Sequence, residues 1–488
     1  MNQLIQILSL VPHTQIIGST DFCIGDIQFD SRKVSKPEQG VSMYIAQKGT
    51  QSDGHRFIDS SIEKGAQVIV CEELPSKINP DITWIVVNDS SEALGLIASA
   101  FYDHPSEQLK LVGITGTNGK TTTVTLLHQL FMDLGYPTGL LSTIVNKINN
   151  TTIPSTHTTP DALQLNKLLR EMVNTGCECC FMEVSSHAIV QHRITGLHFT
   201  GAIFSNITHD HLDFHHTFAN YIQAKKTLFD QLPVDSFALT NIDDRNGTVM
   251  VQNCKSHIYT YSLLTAADYK GRIIDNSFEG LQASFNNKEV YFKLCGKFNA
   301  YNLLAIYGTA LLLGVNEEEL LVKMSNMEGA TGRFQVLKND QGTIGIVDYA
   351  HTPDALKNVL STIKEITQNS VEVITVVGCG GDRDALKRPI MAEMACQFSN
   401  KVILTSDNPR SEDPYEILKQ MEEGVPVSFK RNVLTIENRK EAIKTGAMIV
   451  QPGGVLLIAG KGHETYQEIK GVKHHFDDFE ELKINFNL

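Results

Sequence analysis

Gly116-Thr-Asn-Gly-Lys120-Thr-Thr122 is the stretch whose residue types most directly imply chemistry. It follows an apolar run at 109–115. It precedes a segment in which Val124, Leu127, Phe131 and Leu134 recur on one helical face, so it reads as a strand–loop–helix turn. Such a turn offers backbone N–H groups and the positive end of a helix to an anion. Gly116 and Gly119, with Thr117 and Asn118 between them, let the backbone close on phosphates. Lys120 is placed to neutralise the β- and γ-phosphates of ATP, and Thr121 or Thr122 can offer a hydroxyl to Mg²⁺. The longer G-x-x-x-x-G-K-[ST] pattern wants glycine at 114, where Ile114 stands.

Three further groupings bear on the same chemistry. Glu183 closes the apolar run 177–184, which reads as a buried strand, so its carboxylate is expected at the sheet edge that carries the phosphate loop, a hard ligand for Mg²⁺. The Cys177-Glu-Cys-Cys180 spacing inside that run has no second cysteine pair nearby and reads as strand, not as a zinc or redox site. His209-Asp-His-Leu-Asp-Phe-His-His216 admits three readings. One of its histidines and the nearby carboxylates serve the Mg²⁺ of a nucleotide site, or the H-x-H-x-D spacing belongs to a zinc-dependent hydrolase, or the loop is solvated and holds nothing. In the hydrolase pattern the last histidine directly follows the aspartate, whereas Phe214 intervenes here. Lys225, taken alone, reads as an exposed helical lysine.

These residues need elements to position them, and 488 residues are too many for one ordinary core. The fold class is α/β in three domains. Residues 1–106 read as a smaller N-terminal α/β domain with strands at 67–71 and 84–87, ending at the turn-prone His104-Pro-Ser106. Residues 107–333 form a central domain on a parallel or mixed sheet of the phosphate-loop ATPase kind. Residues 334–488 alternate strands and helices as a Rossmann-like parallel sheet. In that third domain the strands at 343–347, 371–377, 401–405 and 455–459 each run into a polar loop: Asp348–His351, Gly378–Arg383, Asp407–Arg410 and Gly460–Glu464. Ligands of open α/β sheets bind beyond the carboxyl ends of the strands, so these loops imply a site for a zwitterionic or phosphorylated ligand. Gly378-Cys-Gly-Gly is not a dinucleotide fingerprint, because Arg383 occupies the position of the last glycine.

Composition narrows the class. A net charge of -13 argues against a nucleic-acid partner. No apolar run reaches bilayer length, the N-terminus lacks the pattern of a signal peptide, and the nine cysteines show no disulfide-framework spacing. The expectation is a cytoplasmic monomer with no membrane insertion.

The motifs in order resemble one family, the Mur ligases, which build the peptide of bacterial cell-wall precursors. The resemblance rests on Asp30-Ser-Arg32, Gly113–Thr122, Ser155–Pro160, Met182–His187, Gln191-His-Arg193, Asn206–Asp213, Asn299–Asn302, Gly332-Arg-Phe334 and the four loops of the third domain. It spans the whole chain, and the short phosphate loop is the form that family uses. It points to the branch that adds the third residue to UDP-N-acetylmuramoyl-L-alanyl-D-glutamate through an acyl phosphate. It implies that Gly116, Gly119, Lys120 and Thr121 hold ATP and that Glu183 and His211 are Mg²⁺ ligands. Lys225 matches a carbamylated lysine that helps hold a second Mg²⁺. Asn302, Arg333 and Asp348 resemble positions that grip the nucleotide from the third domain. Ser31, Thr158, Thr159, Ser185, Gln191 and Arg193 match contacts to the UDP-muramoyl-dipeptide. The Asp407-Asn408-Pro-Arg410 loop resembles the version selecting meso-diaminopimelate over L-lysine. Arg410 and Arg383 would then pair with carboxylates of the acceptor, and Asp407 and Glu464, beside Gly460, with an ammonium group. An L-lysine-adding enzyme, a folylpolyglutamate synthase, an enzyme recycling muramoyl tripeptide and a nucleotide-binding scaffold are the rivals.

Overall fold

Three separate sheets organise the chain in the computed structural model, which describes residues 2–49 and 52–488. In the first, the strands Cys23–Gln28, Val41–Ile45, Ala66–Cys71 and Thr83–Val86 run parallel, flanked by antiparallel edges at Asn2–Gln3 and Gln15–Ile17. The run 67–71 alternates little because both faces are covered: Val68, Ile69, Val70 and Cys71 are all buried.

The central sheet is the widest, with 11 strands. Its middle is parallel and places the strand Lys110–Thr115 between Cys179–Glu183 and Gly201–Phe204. The helix Lys120–Asp133 follows the phosphate loop, and Val124, Leu126, Leu127, Leu130 and Phe131 bury its inner face in the core. An antiparallel meander, Tyr269–Ser277, Gly280–Phe285 and Lys288–Phe292, extends the sheet at one end. Its strands alternate weakly, and the sequence reading did not mark them.

In the third sheet, Ile344–Asp348, Val455–Ala459, Val373–Val377, Lys401–Leu404 and Val433–Thr435 run parallel, with Gln335–Lys338 antiparallel at one edge. All four foreseen strands are present, and their polar loops leave the carboxyl ends together. No helix among the described residues is long and apolar enough to cross a membrane.

Candidate active site

Parallel register fixes the first half of the site. Glu183 pairs with Ile114, one residue before the end of the strand that feeds the phosphate loop, so the carboxylate and the loop leave the same edge. Gly119 caps the following helix at φ +89°, a conformation only glycine adopts cheaply, and Gly116 lies so close to Ser205 that a Cβ would sit 2.0 Å from its Oγ. Lys120 folds back onto its own loop, its Nζ donating to the carbonyls of Gly116 and Thr117 at 2.9 Å each.

Lys225 corrects the exposed-lysine reading. It is 1% exposed, on the helix Phe218–Asp230, and its Nζ donates to the same Gly116 carbonyl at 2.8 Å. Burial, reinforced by the Lys120 charge, holds its pKa well below that of an ordinary lysine. Burial also lowers that of Lys120, against the nearby charges of Glu183 and Asp210. Asp210 acts electrostatically on both lysines; from sequence it was one of the carboxylates near the histidines and was not singled out by number.

Glu183 is 1% exposed, and its Oε1 accepts from the Thr143 backbone N at 2.8 Å. His211 sits at φ +53° with its ring 4.9 Å from that of His187 and its Nε2 3.5 Å from Asp210. Of the other histidines of the segment, His209 lines the same cavity and stacks on Phe218 at 4.4 Å, and His215 is buried against the Ser186 hydroxyl at 2.9 Å. Among the described residues no three His, Cys, Asp or Glu side chains gather as a metal cage, and the Asp213 side chain lies outside those described. The zinc-hydrolase spacing therefore has no assembled counterpart among them. A nucleotide-bound Mg²⁺ is a different case, since it takes one or two protein carboxylates and completes its shell with phosphates and water. Glu183, a buried carboxylate on the edge that carries the phosphate loop, fits that demand.

The residues expected to hold the nucleotide converge from two sides. Asn302 approaches from the helix Lys297–Leu312, which packs on the helix after the phosphate loop, so it belongs to the central unit and not to the third domain. A Cβ on Gly119 would lie 2.5 Å from its Oδ1. Arg333 reaches Thr121 Oγ1 at 3.3 Å and lies 4.5 Å over the Tyr349 ring, with its Nε buried and unpartnered. Asp348 accepts from the backbone N of Phe334 at 2.7 Å and of Ala350 at 2.8 Å, and burial raises its pKa.

Thr158, Thr159, Ser185, Gln191 and Arg193 form one connected network beside Glu183. Thr143 Oγ1 donates to Thr158 Oγ1 at 3.1 Å, Thr159 Oγ1 donates to the Glu183 carbonyl at 2.8 Å and to Ser185 Oγ at 3.4 Å, and Arg193 bonds the Thr159 carbonyl at 2.7 Å and Gln191 Oε1 at 2.6 Å. Ser31 is not joined to it; it lies buried in the first unit, where its carbonyl accepts from Lys64.

Across the cleft, Asn408 Nδ2 donates to Glu464 Oε2 at 2.7 Å, and a Cβ on Gly460 would lie 2.7 Å from Asp407 Oδ2. Burial and the neighbouring Asp407 raise the pKa of Glu464. Arg410, at φ +52°, donates to the Gly381 carbonyl at 2.7 Å and lies 3.8 Å from Glu468, while Arg383 is exposed. Lys461, inside a loop marked from sequence yet not singled out, is fully buried and donates to Asn408 Oδ1 at 3.1 Å and Glu464 Oε2 at 3.2 Å. One cavity of about 1840 Å³ is lined from both sides, by Thr158 and His211 on one and Arg383, Asp407, Arg410 and Glu464 on the other.

Comparison with known proteins gives this geometry a lineage. The family descriptions "Mur ligase family, catalytic domain", "Mur ligase middle domain" and "Mur ligase, glutamate ligase domain" match residues 24–102, 114–310 and 332–462. A UDP-N-acetylmuramoyl-L-alanyl-D-glutamate--2,6-diaminopimelate ligase of Cytophaga hutchinsonii is 58% identical over 97% of this chain and 97% of its own. One of the same name from Bacteroides fragilis is 52% identical over 99% of both. A solved structure of a ligase of that name superposes with a TM-score of 0.67 at 34% identity, covering 95% of each chain. Three matched family domains in this order and identity along nearly the whole length place the chain in the Mur ligase family.

Proposed function

We propose that this protein joins meso-diaminopimelate to the D-glutamate γ-carboxylate of UDP-N-acetylmuramoyl-L-alanyl-D-glutamate, consuming ATP, in peptidoglycan precursor synthesis. The observation that carries the reading is one cavity lined on one side by Thr158, His187 and His211 of the central unit and on the other by residues of the Asp407–Arg410 and Gly460–Glu464 loops. Residues 1–106 take the UDP end through Ser31, residues 107–333 take ATP and the muramoyl-dipeptide, residues 334–488 take the amino acid, and the protein acts as a monomer.

The γ-carboxylate attacks the γ-phosphorus, ADP leaves, and an acyl phosphate forms. The neutral amine of the acceptor then attacks the acyl carbon, and phosphate departs from a tetrahedral intermediate as the amine loses its proton. Gly116, Thr117, Asn118, Gly119, Lys120, Thr121 and Thr122 hold the ATP phosphates, with Asn302, Arg333 and Asp348 on the nucleoside side. Thr121, Glu183, His211 and carbamylated Lys225 hold Mg²⁺. When bound, Mg²⁺ spreads and neutralises charge on the transferring phosphoryl group. Two lysines donating to one carbonyl support the carbamate: burial and the Lys120 charge favour the neutral Lys225 amine, and addition of CO₂ to it, with loss of a proton, creates an anion attracted to Lys120.

Acceptor discrimination follows from charge. Diaminopimelate carries one carboxylate more than lysine, and Arg410 and Arg383 read it while Asp407, Asn408 and Glu464 take the ammonium end. Acceptor-dependent ADP release with the UDP-muramoyl-dipeptide tests the reading. Equal turnover with L-lysine would remove the Arg410 assignment, and no turnover with either amino acid would remove the function.

A further inference from the structure

Arg439 is a cation where helix chemistry argues against one. It is the first residue of the helix Arg439–Ile449, at the positive end of the helix dipole, and it is 1% exposed. Its partner, Asp478, is the first residue of the helix Asp478–Phe486 and is fully buried. The pair is bidentate: Nε donates to Oδ1 and Nη2 to Oδ2, each at 2.7 Å. A buried pair of this kind is often no better for stability than apolar side chains of the same volume, so stability alone does not account for it.

The rest of the guanidinium shows what the pair does. Nη2 also donates to the Ala459 carbonyl at 3.0 Å, and Nη1 reaches the Ser406 carbonyl at 3.5 Å. Ser406 directly precedes Asp407, and Ala459 directly precedes Gly460. One fork thus ties together the roots of the two loops whose tips already meet through Asn408, Lys461 and Glu464. Burial alone would lower the pKa of Arg439, but Asp478, Asp407 and Glu464 together hold it above the usual arginine value, so both loop carboxylates lie within its field.

We propose that Arg439, oriented by Asp478, is a positioning residue for the amino-acid acceptor: it sets the spacing of the Asp407–Arg410 and Gly460–Glu464 loops so that one ligand's ammonium and carboxylate are met together. This rests on the ligase reading above and concerns only its acceptor side. Lysine cannot substitute, because an ammonium lacks the planar fork that serves a carboxylate and two carbonyls at once.

Three variants of the full chain test it: Arg439→Lys, Asp478→Asn, and the double Arg439→Met/Asp478→Leu. For each, KM is measured for meso-diaminopimelate, ATP and the UDP-muramoyl-dipeptide, alongside the melting temperature. In all three variants the acceptor KM rises about tenfold, the scale of one lost charge-assisted hydrogen bond, while the other two KM values stay within about twofold. In the double variant no charge remains buried alone, so its melting temperature recovers relative to the single variants, yet the two carbonyls still lack donors and the acceptor KM stays high. A double variant with the unaltered acceptor KM overturns the proposal. So do single variants in which all three KM values move together with the melting temperature, and these decide the matter if the double variant fails to fold. Absence of turnover by the unaltered protein would remove the ligase reading and this inference with it; normal turnover with unchanged acceptor KM in the variants removes this inference alone.

Discussion

Lys225 and Glu464 show how far a residue's neighbours decide its chemistry. Lys225 shares the Gly116 carbonyl with Lys120, and burial beside that charge makes a second cation unwelcome even though the Tyr221 ring lies 4.6 Å from its Nζ. We predict that Lys225→Ala loses at least about a hundredfold in kcat, the scale of a lost electrostatic contact in phosphoryl transfer, and that added acetate or formate restores part of it. Turnover unchanged in the variant would take Lys225 out of the mechanism. None of this was legible locally, because the partner lies 109 residues away in sequence. Glu464 gives a pH prediction. Burial and Asp407 raise its pKa, and Lys461 and Asn408 oppose them. The form that receives an ammonium is the carboxylate, complete above the raised pKa and lost as pH falls through it. The acid limb of kcat/KM for meso-diaminopimelate therefore lies above the ordinary glutamate range and is absent in Glu464→Gln; an identical limb in that variant would assign it to another group.

At the scale of elements, the polar loops act because strands and helices end where they do. Apolar runs are local signals, so the strand ends carrying Thr115, Asp348, Val377 and Ala459 were readable from sequence, and with them the edge on which Glu183 stands. Packing between distant elements was not readable: Asn302 arrives on a helix whose sequence reads simply as apolar, and the Tyr269–Phe292 meander lacks clean alternation. The junction where both kinds of information meet is Gly119. It is left-handed at φ +89°, and a Cβ would fall 2.5 Å from Asn302 Oδ1. Gly119→Ala is expected to cost about 1–2 kcal/mol in backbone strain alone, roughly a 5- to 30-fold loss of nucleotide affinity if that strain falls on the ligand-bound loop. Calorimetric titration with ADP checks it, with UDP-muramoyl-dipeptide affinity as the control. Equal loss for both ligands would mean that the fold had been damaged and the loop not selectively strained.

For the whole molecule, the acyl phosphate sets the requirement: the third unit must cover the central one before water does. Asp354 already crosses that cleft. At the start of the helix Pro353–Thr367, it accepts from Asn118 Nδ2 at 3.1 Å and from Thr208 Oγ1 at 2.9 Å. Asn118 belongs to the phosphate loop, so one contact between the units is made to a residue of the proposed ATP site. Hydrogen bonds to a charged group contribute about 1.5–3 kcal/mol each, enough to bias a domain equilibrium without locking it. Asp354→Ala should therefore open the protein in the absence of ligands, seen as a larger radius of gyration in small-angle scattering. It should also raise phosphate release without the amino acid, because an exposed acyl phosphate hydrolyses. Scattering curves that superimpose, together with unchanged acceptor-independent phosphate release, would show that closure is governed elsewhere and that Asp354 only tidies the loop it touches.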